Sequence, residues 1–192
     1  MIEEKELPKS PFPSWASFAL LPPFRDKSLA KKAAKLAEIK EGSTILEIGC
    51  GPGFFTGELA NAVGMEGKVI SQDIQEKMLK KMKRRMKKYP SSSNVEPLLA
   101  NSSKTGISSE SIDNIFTVNV FEEIFKESQL EETAIELKRV LKNNGSLFFG
   151  EHKVSERMIN AIFEAITAAG FERIEPSEKL FYHSAIFKKS PF

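Results

Sequence analysis

The chain has 192 residues, of which 41% are hydrophobic and 28% charged, and a formal net charge of +2. That length fits one domain with a core large enough to need neither disulfides nor a structural metal. A single cysteine, Cys50, and two histidines, His152 and His183, rule out a disulfide framework and the Cys/His spacing of a zinc site, so no metal is expected. The acidic start (Glu3, Glu4, Glu6) does not read as a secretory signal, and no run approaches the roughly 20 apolar residues of a spanning helix, which predicts a cytoplasmic protein.

Residues 1–25 combine Pro8, Pro11, Pro13, Pro22 and Pro23 with Phe12, Trp15, Phe18 and Phe24. Prolines at this density forbid a long helix, while the aromatics argue against a purely solvated tail. The segment is expected to be an irregular arm packed on a domain spanning 26–192. Asp26 is a suitable N-cap for a helix carrying Leu29, Ala33, Leu36 and Ala37 at helical spacing, closed near Gly42.

Beyond Gly42 short apolar strands alternate with helices. Strands are predicted at 44–48, 68–72, 95–100, 112–118 and 146–150, and helices at 54–63, 75–89 and 154–169. One or two further helices are expected within 122–141. The last two strands, 171–175 and 180–188, are joined by a turn at Pro176-Ser177 without a helix, so they should pair antiparallel. Repeated strand–helix units imply an α/β, Rossmann-like, doubly wound sheet of seven mostly parallel strands, ending in an antiparallel edge hairpin. Ligands of such sheets lie outside the carboxyl ends of the strands, where the winding reverses.

The helix at 75–89 holds the charge asymmetry. Residues 77–88 include eight Lys/Arg and no acid, and removing those eight from the total of 28 leaves 20 basic against 26 acidic residues. Met78, Met82, Met86 and Tyr89 form a seam along one face, which makes the cations a solvated outer face. No aromatics interleave with them, as base stacking would require, which argues against nucleic acid.

The most specific signal is Glu47-Ile48-Gly49-Cys50-Gly51-Pro52-Gly53-Phe54 between a strand and a helix. Glycines there let a ligand approach the backbone, and the helix start offers N–H groups. Asp73 follows Gly53 by 20 residues at the end of the second strand, where a carboxylate can accept from two ribose hydroxyls. A dinucleotide fingerprint would need a small residue at position 54, and that residue is Phe54; Pro52 also removes an N–H a pyrophosphate would use. The loop therefore suits a nucleoside ligand without phosphates.

These residues resemble the first motif of the class I S-adenosylmethionine-dependent methyltransferases. Residues 69–74 (Val-Ile-Ser-Gln-Asp-Ile) look like the second motif, and residues 137–145 resemble the stretch before the fifth strand, with a similarity that covers about residues 26–188. The head, from Phe12 to Phe18 and Pro22 to Arg25, is similar to a small-protein branch of the family whose substrates are unassigned. The resemblance implies S-adenosyl-L-methionine as cofactor. It places Gly49, Cys50, Gly51 and Gly53 in the loop against the methionine part, Glu47 towards the ammonium, Asp73 on the ribose and Ile74 on the adenine face. Asn101, with Ser102 beside it, occupies the position of an acid that bonds the adenine amino group, while Asn119 and Val120 border the sulfonium end.

Since a sulfonium methyl is already activated, the missing acid/base pair is no argument against transfer. Glu123, Glu151 and His152, just after the fourth and fifth strands, are the candidate acceptor-side groups, with helix capping or solvation as their alternative role. No nucleic-acid amine motif follows Asn119, so the expected acceptor is a small molecule with an apolar body. Trp15 and Phe18 of the arm are candidates for a lid or a shallow membrane contact, and the chain for a monomer or homodimer. Two other readings stay open: a non-catalytic module binding the cofactor or its demethylated product, and an NAD-dependent oxidoreductase.

Overall fold

The computed structural model describes residues 27–152 and 154–190. The proline-rich arm and the Asp26 cap therefore lie outside the described residues. In chain order the elements are α1 (Lys27–Leu36), β1 (Thr44–Ile48), α2 (Thr56–Val63), β2 (Lys68–Asp73), α3 (Glu76–Met86), a 3-10 turn (Pro90–Asn94), β3 (Val95–Leu99), β4 (Ile112–Val118), α4 (Phe121–Lys126), α5 (Leu130–Val140), β5 (Leu141–Glu151), α6 (Glu156–Ala168), β6 (Phe171–Ile174) and β7 (His183–Lys189).

The seven strands form one sheet in the order β3-β2-β1-β4-β5-β7-β6. Strands β1 to β5 pair in parallel, and β7 runs antiparallel to both β5 and β6. The hairpin predicted at the carboxyl end occupies the sheet edge, with β7 inside and the short β6 outermost. At the opposite edge β3 contains Pro97, which an edge strand tolerates because one side of its backbone has no ladder to complete. The winding reverses at β1, which pairs with β2 on one side and β4 on the other.

Strand alternation divides the core between two layers. Ile45, Phe116 and Phe148 pack with Ala33 of α1, Ala37 just after it, and Leu59 and Val63 of α2. Their chain neighbours Leu46, Ile115, Leu147 and Phe149 pack with Leu137 of α5 and Ile159, Ile162 and Ile166 of α6. On α3, Met78, Leu79, Met82 and Met86 are buried as the seam requires. The cations of that helix line its outer side, where Lys80 pairs with Glu76 at 2.6 Å and the Arg85 guanidinium lies 4.3 Å from the Phe54 ring centroid.

Several boundaries differ from periodicity for local reasons. The second helix starts at Thr56, not at residue 54, because Gly53 at φ +79° holds the preceding turn out of helical geometry. The segment 122–141 contains two helices, separated where Ser128 takes a positive φ of 55°. Strand β5 begins at Leu141, earlier than the predicted residue 146, because Leu141 already pairs with Ile112 before the pairing resumes at Ser146 with Asn114.

Candidate functional site

The reversal point brings together the residues after β1, β2 and β4. Parallel register sets Ser71 beside Glu47 and Gln72 beside Ile48. Glu47 shares a strand face with Ile45, so its carboxyl points towards the start of α2. Its Oε2 accepts from the hydroxyls of Thr56 (2.7 Å) and Ser71 (2.8 Å). Only 2% of the residue is exposed, and burial pushes its pKa up from 4.5 to about 7 despite the two hydroxyls.

The glycine loop is held from the β2 side. Gly49 N–H donates to Gln72 Oε1 at 3.0 Å, Cys50 N–H to the Gln72 carbonyl at 2.9 Å, and Gly51 N–H to Asp73 Oδ2 at 2.9 Å. The other Asp73 oxygen accepts Gln75 N–H at 2.8 Å, and Gln72 in turn donates to the Ala100 carbonyl. Asp73 is 7% exposed, and burial raises its pKa against the pull of the backbone donors. The Cys50 thiol is buried and likewise pushed up, by burial first and then by Glu47 and Asp73, which makes it a poor nucleophile.

The three loop glycines have different neighbours although all have positive φ. A Cβ on Gly49 would sit 2.4 Å from Val120 Cγ2, and one on Gly53 would meet Met82 Cγ at 2.8 Å. Among the described residues, a Cβ on Gly51 would meet nothing within 4 Å. Gly49 and Gly53 are thus required by protein packing, and Gly51 opens onto space bordered by the Asp73 carboxylate. Ile74 follows, half-buried, at the rim.

Asn101 stands after β3 as expected, but its polar atoms have local partners. Its Oδ1 accepts from the N–H (3.0 Å) and hydroxyl (3.1 Å) of Ser103, and its Nδ2 donates to Gln129 Oε1 at 3.0 Å. Ser102 is buried, 3.3 Å from the Thr133 hydroxyl.

On the other side of the reversal point, Asn119 takes φ +57° and Val120 covers Gly49. Glu151, 1% exposed, turns across from β5 and accepts both Val120 N–H and Phe121 N–H on Oε1 at 2.7 Å. Burial raises its pKa from 4.5 to about 7, opposed by those backbone donors. It therefore caps the start of α4, not the helix that follows it in sequence. Glu123, half-buried on α4, pairs through Oε1 with Lys126 at 3.0 Å, while its Oε2 is buried with no hydrogen-bond partner among the described residues. His152 is exposed; its ring and its backbone N–H both contact Asn119 Oδ1, and partial desolvation lowers its pKa. Among the described residues, no group of three His, Cys, Asp or Glu could hold a metal, and no helix is long and apolar enough to cross a membrane.

Thr56, Ser71, Gln72 and Gln129 were not singled out from the sequence. Ser71 and Gln72 carried a signal: they are polar residues in a strand whose neighbours predict burial, immediately before the predicted ribose acid.

The model of a family described as a methyltransferase domain matches residues 45–145, more than half of the chain. A SAM dependent methyltransferase from Aquifex aeolicus has a similar structure, with TM-score 0.75 and 28% identity over 92% of this chain and 97% of that one. The chain is 38% identical over 71 residues to a demethylmenaquinone methyltransferase of Desulfitobacterium hafniense, covering 37% of this chain and 28% of that protein. It is 32% identical over 114 residues to an uncharacterized 37.1 kDa protein in transposon TN4556 of Streptomyces fradiae, covering 59% and 31%. The alignments thus span about a third or less of the length of these curated relatives. With the glycine loop, the acid at the end of β2 and the β3-β2-β1-β4-β5-β7-β6 sheet all in place, the chain belongs to the class I S-adenosylmethionine-dependent methyltransferase family.

Proposed function

We propose that this protein transfers a methyl group from S-adenosylmethionine to a small molecule with an apolar body. The observation that carries the reading is the space at Gly51, where an added Cβ would touch none of the described residues, bordered by Asp73. The residues present fit the cofactor. The Asp73 carboxylate accepts backbone N–H groups, among them those of Gly51 and Gln75, and has lone-pair capacity left for a ribose hydroxyl. Glu47, poised between neutral and charged forms, would become an anion against the ammonium. Ile74 would lie on the adenine face, with Asn101 and Ser102 near its edge. Gly49, Cys50, Gly51 and Gly53 would pass along the methionine part, and Asn119 and Val120 would border the sulfur. Asn101 has to share its carbonyl with Ser103, which makes it a weaker adenine ligand than a carboxylate would be.

The bound cofactor supplies a methyl group already activated by its positive sulfur. The protein's part is to orient the acceptor in line and to exclude water, an arrangement that supplies about 7–11 kcal/mol in well-oriented systems. The similarity to proteins named demethylmenaquinone methyltransferases supports an acceptor with a large apolar portion.

Calorimetry with S-adenosylmethionine and with NAD, followed by transfer of a radiolabelled methyl group to a protein- and nucleic-acid-free cell extract, tests this. Binding of the former and a labelled small molecule are expected. NAD binding alone would replace the reading with a dehydrogenase. Cofactor binding without any labelled product would replace it with a non-catalytic module.

A further inference from the structure

Helix α3 carries a charge pattern that the cofactor site does not use. Lys77, Lys80, Lys83 and Arg84 are exposed on it, and Lys87 and Lys88 continue the exposed stretch at its carboxyl end. At about 100° per residue, Lys80, Arg84 and Lys87 fall in one row opposite the buried Met78, Leu79, Met82 and Met86, with Lys77 and Lys83 flanking it.

These cations differ from the others on the surface. Lys80 pairs with Glu76, whereas Lys77, Lys83, Arg84, Lys87 and Lys88 have no ion pair among the described residues. Elsewhere a lysine commonly meets an acid from another element: Lys68 lies 2.7 Å from Glu96, Lys142 2.7 Å from Asp113 and Lys189 3.0 Å from Glu110. Within the stretch the neighbours four residues apart are of like sign, Lys80 with Arg84 and Lys83 with Lys87, and such pairs weaken a helix. A facing polyanion would relieve that repulsion. The remainder of the chain is acidic, since taking the eight cations of 77–88 from 28 leaves 20 basic against 26 acidic residues. An extended anionic surface therefore attracts this face and repels the rest, which selects one orientation.

The chemistry of the face favours lipid headgroups over nucleic acid. Five of its six exposed cations are lysines, point charges on flexible stems, where arginine forks are the usual choice for nucleic-acid phosphates. Helix α3 contains no aromatic residue, and its outer side is convex, so it offers neither a stacking platform nor a channel for a strand. A helical cluster of four to eight cations is a form in which proteins meet anionic bilayers. With the apolar side of α3 committed to the core, the attraction acts through charge and without insertion.

The inner side of the same helix packs on the cofactor loop. A Cβ on Gly53 would stand 2.8 Å from Met82 Cγ, and the Arg85 guanidinium lies 4.3 Å from the Phe54 ring centroid. The loop is thus about one helix diameter, about 10 Å, from anything seated on the outer face.

We propose that the outer face of α3 docks this protein on anionic lipid headgroups and holds the glycine loop beside the bilayer. The docking stands without the methyl-transfer reading. Its use, access to an acceptor whose apolar body dissolves in lipid, rests on that reading.

Cosedimentation of the full chain with vesicles tests the docking. At about 0.1 M salt, where charges act over about 10 Å, the protein should bind vesicles of phosphatidylcholine mixed with phosphatidylglycerol and leave pure phosphatidylcholine vesicles unbound. At about 1 M salt, where that range falls to about 3 Å, binding should be lost. Each neutralised cation should weaken vesicle binding about fivefold, so the combined variant Lys83→Gln, Arg84→Gln, Lys87→Gln and Lys88→Gln should lose more than about 100-fold. Glutamine is as good a helix former as lysine and removes the repulsion, so the melting temperature of the variant should be unchanged or higher. Equal binding to the two kinds of vesicle, binding that persists at high salt, or a variant that binds as wild type does overturns the proposal. So does tighter binding of polyuridylate RNA than of the anionic vesicles at the same salt, which would assign the face to nucleic acid. Anionic-vesicle binding by a protein that shows no affinity for S-adenosylmethionine overturns the methyl-transfer reading and leaves the docking in place.

Discussion

Replacing Glu47 with Gln separates the stability of this site from its binding function. The carboxyl is buried, and its pKa is raised from 4.5 to about 7 chiefly by desolvation. Below pH 4.5 it is protonated whether the chain is folded or unfolded, and it contributes no pH dependence. Between 4.5 and 7 the unfolded chain releases the proton while the folded one keeps it, so stability falls as pH rises. From pH 5 to pH 8 this linkage costs about 2–3 kcal/mol. Gln keeps the shape and an oxygen to accept the Thr56 and Ser71 hydroxyls, but it cannot ionise. In the cofactor-free protein the stability of Glu47→Gln relative to wild type should therefore improve by about 2–3 kcal/mol between pH 5 and pH 8, or about 5–10 °C in melting temperature for a chain of this size. Urea unfolding at the two pH values measures it, and comparing differences cancels any fixed cost of the amide. Glu151 adds a similar slope to both proteins. The same variant should bind S-adenosylmethionine at least tenfold more weakly, since it offers no anion to the ammonium. Parallel pH dependences in the two proteins would refute the burial argument, and unchanged affinity would refute the assigned role.

Three further substitutions test neighbouring inferences. Asp73→Ala removes the acceptor of Gly51 and Gln75 N–H and should lower stability by about 1–3 kcal/mol; calorimetry should show the loss of cofactor affinity that the ribose assignment requires. Gly51→Ala incurs only left-handed strain, about 1–2 kcal/mol, yet should abolish cofactor binding, whereas Gly49→Ala adds a clash 2.4 Å from Val120 and should destabilise the fold by more. Gly150→Ala should cost about 1–3 kcal/mol against the Phe181 ring, and a double-mutant cycle with Phe181→Leu should show that the two changes are coupled.

What the sequence determined by itself is local. Strand alternation, the Met seam of α3 and the strand–glycines–helix order follow from nearest neighbours, and these determined the sheet type and the place of the glycine loop. The acid at the end of β2 was legible for the same reason, because a strand of known length ends at a known place. The tertiary structure decided which groups meet across elements. Parallel register set Ser71 beside Glu47 and let Gln72 hold Gly49, and the β4–β5 pairing turned Glu151 to the start of α4 and His152 to Asn119. The different duties of the three loop glycines also depend on residues 29 to 71 positions away, Met82 and Val120, which no local pattern reveals. Burial then moved the Glu47 and Glu151 carboxyls towards neutrality, a property of the surrounding low-dielectric core and not of the residues themselves.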